Sequence, residues 1–172
     1  MSSRLIATQI ISQVFENKFT LTYALRNNES FKQAGNDKAL IQEICYGTFR
    51  WYIQLEYILN HLLKKNIKKK DSQLKYLIVI GLYQLRFMRI PAHAVVSETV
   101  NTCKKMKMEW AKSLVNAILR RYIRDTKIFD PHVNSDDSLI TSHPKWFIKQ
   151  LRLDWPVEWE SILEANNQHP PM

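Results

Sequence analysis

In the stretch "PAHAVVSE", His93, Ser97 and Glu98 fall on one helical turn. A histidine four residues ahead of a serine is a pairing in which an imidazole could draw the proton from a hydroxyl nucleophile. Acyl transfer also needs an oxyanion hole, and the surrounding helix has its N–H donors occupied, so the triple reads as ordinary surface. The remaining histidines, His61, His132, His143 and His169, are scattered, with no i, i+4 pair and no HExxH. Each reads as a cap, a loop residue or a packed ring. Cys45 and Cys103 stand far apart, with no CxxC and no histidine at ligand spacing. That argues against a disulfide framework and a zinc site, and predicts reduced core residues. Glycine occurs only at Gly35, Gly47 and Gly81, which leaves no Gly-rich loop to cradle a phosphate. No catalytic residue and no metal ligand is expected in this chain.

Charge is the stronger signal. The 172 residues carry a net +9. Residues 1–130 hold 22 Lys and Arg against 10 Asp and Glu, whereas residues 131–172 hold 3 against 6. A basic body with an acidic tail attracts polyanions. No greasy amphipathic anchor accompanies the charge, and no apolar run approaches the roughly 18 to 20 residues of a membrane span, so nucleic acid is favoured over membrane. The opening "MSSRLIATQI" lacks the residue order of a signal peptide, and a cytoplasmic protein is expected. Arginines lie beside aromatics in Arg50-Trp51-Tyr52, Arg86-Phe87 and Arg120-Arg121-Tyr122. Guanidinium groups pair with phosphate and rings stack on unpaired bases, but helical spacing assigns most of these rings to the core.

The elements that must position these side chains are helical nearly throughout. Leu, Ile, Lys and Gln are plentiful and 45% of residues are hydrophobic, enough for a core, so an all-α fold is expected. Ala7, Ile10, Ile11, Val14 and Phe15 mark a first helix behind Ser2 or Ser3, and a short piece follows over Leu21 to Leu25. Asn36 is a plausible cap for a helical pattern running from Lys38 to Leu63, with Gly47 as the place where it bends or divides. "KKNIKKK" reads as a charged loop. Leu74, Leu77, Ile78, Gly81, Leu82, Leu85 and Met88 then form the most apolar stripe, expected at the centre, with Gly81 admitting a close neighbour. Pro91 opens a helix to about Lys107, and another spans Ala111 to Arg124. The stretch "DTKIFDPHVNSDDS", Asp125 to Ser138, reads as a loop and domain boundary. Two helices near Pro144 and Pro156 carry Trp146, Trp155 and Trp159, too many tryptophans for a short segment to bury without a partner surface.

"GLYQLRFMRIPAHAVVSETV", "SLVNAILRR" and "DKALIQEICYGTFRW" together resemble the NusB-like domain, an all-helical RNA-binding fold. With "HPKWFIKQL" and "EANNQHPPM" the resemblance is closest to the N-terminal region of the bacterial small-subunit (16S) ribosomal RNA cytosine-C5 methyltransferases, over essentially all 172 residues. The resemblance implies a NusB-like RNA-binding bundle over residues 1–130. A helical extension over 131–172 would lead to a second RNA-binding subdomain and an S-adenosylmethionine-binding methyltransferase domain, with Met172 an internal point of a longer chain. The family's catalytic cysteines lie in Pro-Cys and Thr-Cys motifs of that later domain. Thr102-Cys103 matches two letters mid-helix, and the role is not transferred.

What the resemblance implies for this part is recruitment of small-subunit ribosomal RNA to the chain's own methyltransferase domain. Arg4, Lys38, Arg50, Arg86, Arg89, Arg120, Arg121 and Arg124 are the expected RNA contacts, chosen by charge and expected exposure. A stand-alone antitermination factor that binds RNA and a ribosomal protein would share the bundle but would not need the tryptophan-rich extension. A protein-docking module would show no steep salt dependence with RNA.

Overall fold

A computed structural model describes residues 2–168. His169, Pro170, Pro171 and Met172 lie outside the described residues, and with them the Pro-Pro-Met on which part of the sequence reading rests. Eleven α-helices and no strand occur among the described residues: α1 Ser3–Asn17, α2 Leu21–Asn27, α3 Glu29–Lys32, α4 Lys38–Arg50, α5 Tyr52–Leu62, α6 Ser72–Phe87, α7 Ala92–Lys105, α8 Lys112–Val133, α9 Asp137–Thr141, α10 Lys145–Asp154 and α11 Trp159–Asn167.

Local chemistry sets many of the ends. Ser2 is extended ahead of α1, and the Thr20 and Asn28 side chains accept N–H bonds from Tyr23 and Phe31 to start α2 and α3. Pro91 and Pro144, each with φ near −60°, immediately precede α7 and α10.

The all-α class is the one the composition predicts, and α6 lies at its centre. Ten of its residues are buried, and it packs against α1, α4, α5, α7 and α8. A helix buried on several faces belongs in the middle of a bundle. Tyr76 and Ile80 join a cluster with Ile6, Ile10, Ile41 and Ile44, whereas Leu77 and Ile78 join a second with Leu55, Ile58, Val115 and Leu119. Gly81 admits its neighbours as expected: a Cβ there would lie 3.0 Å from Leu119 on α8 and 3.3 Å from Thr99 on α7.

Two boundaries differ from expectation. The run from Lys38 divides at Trp51 (φ −104°, ψ 15°), four residues beyond Gly47. The turn persists across the division, because Trp51 N–H donates to Gly47 O and Leu55 N–H to Trp51 O. Trp51 stacks on Phe87 of α6, with ring centroids 4.5 Å apart, so the division falls at a contact with another helix. Gly47 serves a different purpose, lying under the ring of Tyr83.

The second correction is larger. Helix α8 does not end at Arg124 but runs to Val133, through most of the stretch read as a loop. Tyr122, Phe129 and Val133 are buried on one stripe, and burial of that stripe overrides the loop-like composition of "DTKIFDP". Arg86 of α6 then holds the added turns, its Nη1 donating to Asp130 at 2.8 Å and to the Tyr122 hydroxyl at 3.1 Å.

The same arginine reaches the extension. Its Nε donates to Gln54 Oε1 at 2.7 Å, and Gln54 Nε2 donates to the Leu139 carbonyl of α9 at 2.8 Å. Helix α9 is thereby fixed to α5. Helices α10 and α11 bury Ile148 and Leu163 but leave Trp146 71% and Trp155 54% exposed, so the bundle does not supply the surface these rings need.

Both cysteines are free and buried, as expected. Burial pushes the Cys45 thiol up to about 12 and raises Cys103 as well. Since the thiolate is the reactive form, Cys45 should carry about a thousandfold less of it than a free cysteine near pH 8. Maleimide labelling followed by mass spectrometry is expected to find neither thiol modified in the folded chain and both modified after denaturation. Rapid labelling of Cys45 in the native state would contradict this.

Candidate nucleic-acid interface

The segment joining α5 to α6 is built to stay in solvent. Lys64, Lys65, Lys68, Lys69 and Lys70 are all exposed, and among the described residues none pairs with a carboxylate. Five like charges so close together repel one another, which costs folding energy and creates a field for a polyanion. Leu63 and Ile67, the half-buried apolar residues of this segment, pin it against the core.

Helix α8 forms the opposite bank. Arg120 is exposed and its Nε donates to Asn116 at 3.0 Å. Arg121 is half-buried, held by bonds to the Leu62 carbonyl (3.3 Å) and Asp125 (3.4 Å). Arg124 is exposed, and its Nε also donates to Asp125, at 2.9 Å. The Arg124 hydrogen bonds hold the Asp125 carboxyl below the usual carboxylate range, with Arg121 adding to the effect. Asp125 therefore stays ionised and offsets part of this face, leaving three guanidinium groups against one carboxylate.

Between the banks lies a groove of about 770 Å3, floored by Leu62, Ile67, Leu74, Leu114 and Ile118. Trp110, 61% exposed in the turn that leads into α8, lines it together with Arg121 and four of the lysines. Beyond Lys70, which lines both, a second hollow of about 710 Å3 opens beside Phe15 and Tyr76.

The eight expected contacts do not form one site. Arg120, Arg121 and Arg124 share α8, and Arg121 lines the groove. Lys38 is exposed at the start of α4, Arg50 is half-buried at its end, and Arg89 is exposed in the segment after α6.

Arg50 and Arg121 are only half-exposed, and two expectations of exposure fail outright. Arg4 is buried against α7, 3.8 Å from Glu98 and with its Nε unpartnered, and burial lowers its pKa. Arg86 is the half-buried tie described above. Burial disfavours its charge, but its bonds to Tyr122 and Asp130 outweigh that and raise its pKa. A local pattern does not reveal which charged residue a neighbouring helix will cover.

The rings beside the arginines are packed, as the spacing predicts: Trp51 on Phe87, Tyr52 on Phe15, and Tyr122 in the core. Trp110 and the lysine run do not stand out in the sequence as one surface. The available signal was an isolated tryptophan between Lys107 and Lys112, downstream of five clustered lysines. His93 and Ser97 are exposed with no hydrogen bond between them among the described residues, and Glu98 faces Arg4. Among the described residues no group of three or more potential ligands could hold a metal ion, and no helix is long and apolar enough to cross a membrane.

Comparison with known proteins adds two family matches and a consistent set of relatives. The NusB family model matches residues 1–124, and a model described as an RsmF/B-like methyltransferase, ferredoxin-like domain matches residues 143–172, which include α10 and α11. The chain is 40% identical to ribosomal RNA small subunit methyltransferase B of Pseudomonas putida over 172 residues, covering 100% of this chain and 39% of that protein. It is 41% identical to the protein of the same name from Proteus mirabilis, covering 98% of this chain and 40% of that protein. With a probable ribosomal RNA small subunit methyltransferase B of Coxiella burnetii the identity is 38%, over 100% and 39%. The chain thus spans about two fifths of the length of these relatives.

Proposed function

This chain belongs to the NusB family, and from that membership we infer that it recruits small-subunit ribosomal RNA to a methyltransferase domain of the same polypeptide, in the cytoplasm. The bundle through the end of α8 at Val133 is the RNA-binding part, and the residues after it lead into a second RNA-binding subdomain. The observation that carries this reading is the basic face formed by the lysine run and α8, on a chain whose relatives are named for methylating ribosomal RNA. A phosphate backbone held by several cations raises the concentration of the target near the catalytic domain, as any second binding site on one chain does.

The reaction proposed for the longer protein is transfer of the S-adenosylmethionine methyl group to cytosine C5. The residues present here do not fit that chemistry. Both cysteines are buried and their thiols are raised, so neither could supply the thiolate that adds to cytosine C6. The match of residues 143–172 to a methyltransferase-associated domain favours this reading over a stand-alone antitermination factor.

A titration of the chain against a small-subunit ribosomal RNA hairpin and a matched DNA hairpin, at several salt concentrations, tests the proposal. RNA should bind more tightly than DNA, with log K falling against log salt by about 0.7 per single-stranded phosphate contacted. Changing Arg120, Arg121 and Arg124 together to alanine should flatten that slope by about 2. No RNA binding even at low salt would overturn the proposal.

A further inference from the structure

The groove between the lysine run and α8 combines features that a simple basic patch does not need. Its floor is aliphatic, an indole stands at its edge 61% exposed, and its lining carries Lys64, Lys65, Lys68, Lys70 and Arg121 with Asp71 the one carboxylate. Phosphates alone would be served by the cations on an open face. We propose that the groove takes one unpaired RNA base, stacked on Trp110, while the phosphates on either side lie along the rim lysines and Arg121. The proposal rests on the RNA-recruiting reading above and narrows it to single-stranded or looped RNA.

Each part of the groove has a matching part of a nucleotide. A base is flat, uncharged and apolar on its faces, so it gains from an indole and an aliphatic floor. The phosphates flanking it carry a charge on every repeat, which suits five cations facing one carboxylate. Acidic peptides seldom present charge so regularly. Arg121 is already held in place by the Leu62 carbonyl and Asp125, so little freedom is lost when it meets a phosphate. A duplex could not use the floor, because its bases are stacked inside and an A-form major groove is too narrow for side chains. The second hollow beyond Lys70 adjoins the first and carries Lys69 and Lys70 against the Glu16 carboxylate.

The test uses this chain and a short unstructured RNA carrying one 2-aminopurine, whose emission is quenched on stacking, with a second RNA that is abasic at the same position. Binding is expected to quench the 2-aminopurine several-fold. Trp110→Ala should abolish the quench and weaken binding about tenfold, whereas Trp110→Phe should keep most of both. The abasic RNA should bind the unchanged protein about as weakly as the intact RNA binds Trp110→Ala, with no further loss from that substitution. Equal, salt-dependent binding of intact and abasic RNA that is indifferent to Trp110→Ala would overturn the base site and leave recruitment standing. No binding of either RNA at low salt would remove both. Binding of an acidic amphipathic peptide that Trp110→Ala abolishes, with RNA binding unaffected, would make the groove a protein-docking surface and overturn the proposal.

Discussion

Changing Arg86 to alanine is expected to lower the unfolding free energy by about 2–4 kcal/mol. The side chain connects three elements: Asp130 and Tyr122 on α8, and Gln54 on α5, which in turn holds α9. Its removal leaves the Gln54 carbonyl oxygen and the Tyr122 hydroxyl without their charged donor, and unpaired buried acceptors are where deleted hydrogen bonds cost most. Asp130 is 46% exposed and can turn to water, which keeps the loss below that of a fully buried pair. Urea unfolding should show the midpoint fall. Hydrogen exchange should show α9 and the last turns of α8 lose protection before the cluster around α1 and α4. A variant within about 0.5 kcal/mol of the parent would mean the network is incidental.

Gly47→Ala should be comparably damaging for a different reason, with a loss of about 3 kcal/mol or more. A Cβ at this position would fall 1.9 Å from the Tyr83 hydroxyl oxygen and 2.0 Å from the ring carbon that bears it. Tyr83 cannot swing aside cheaply, since it is buried, stacked near Phe87 and bonded through its hydroxyl to Glu43. The decisive measurement is a double-mutant cycle in urea. Tyr83→Ala is destabilising alone, but in its presence Gly47→Ala should cost under about 1 kcal/mol, because the obstructing ring is gone. Additive losses would show that the alanine acts through the backbone and not through the ring.

These two positions show what was legible in the sequence. Helix starts written into single residues, such as Pro91 and Pro144, were readable, as were the central role of α6 and the close approach at Gly81, whereas Ser2 caps nothing and its hydroxyl turns to Thr102. Features decided across the bundle were not. Gly47 invited the reading of a hinge because a glycine inside a helix usually weakens it, yet its role is to admit a ring from α6. The far end of α8 looked like a loop by composition, although Tyr122, Phe129 and Val133 kept its period. Within the candidate interface, the placing of Arg120, Arg121 and Arg124 together on α8 follows from charge and helical phase. Arg4 and Arg86 were misjudged because their burial depends on which helices cover them. Trp110 and the lysine run escaped because their significance lies in facing each other across a groove closed only in three dimensions.

The continuity of α8 turns what would have been a leash into a ruler. A flexible stretch after Arg124 would let the extension roam relative to the groove. Instead a rod of 22 residues, about 33 Å long, runs from the mouth of the groove to the turn before α9, and α9 is tied to α5 at its far side. The distance and bearing between the groove and the start of the extension are therefore set by the fold. Under the base-anchoring proposal, a target nucleotide would be selected by its distance along the strand as well as by its sequence.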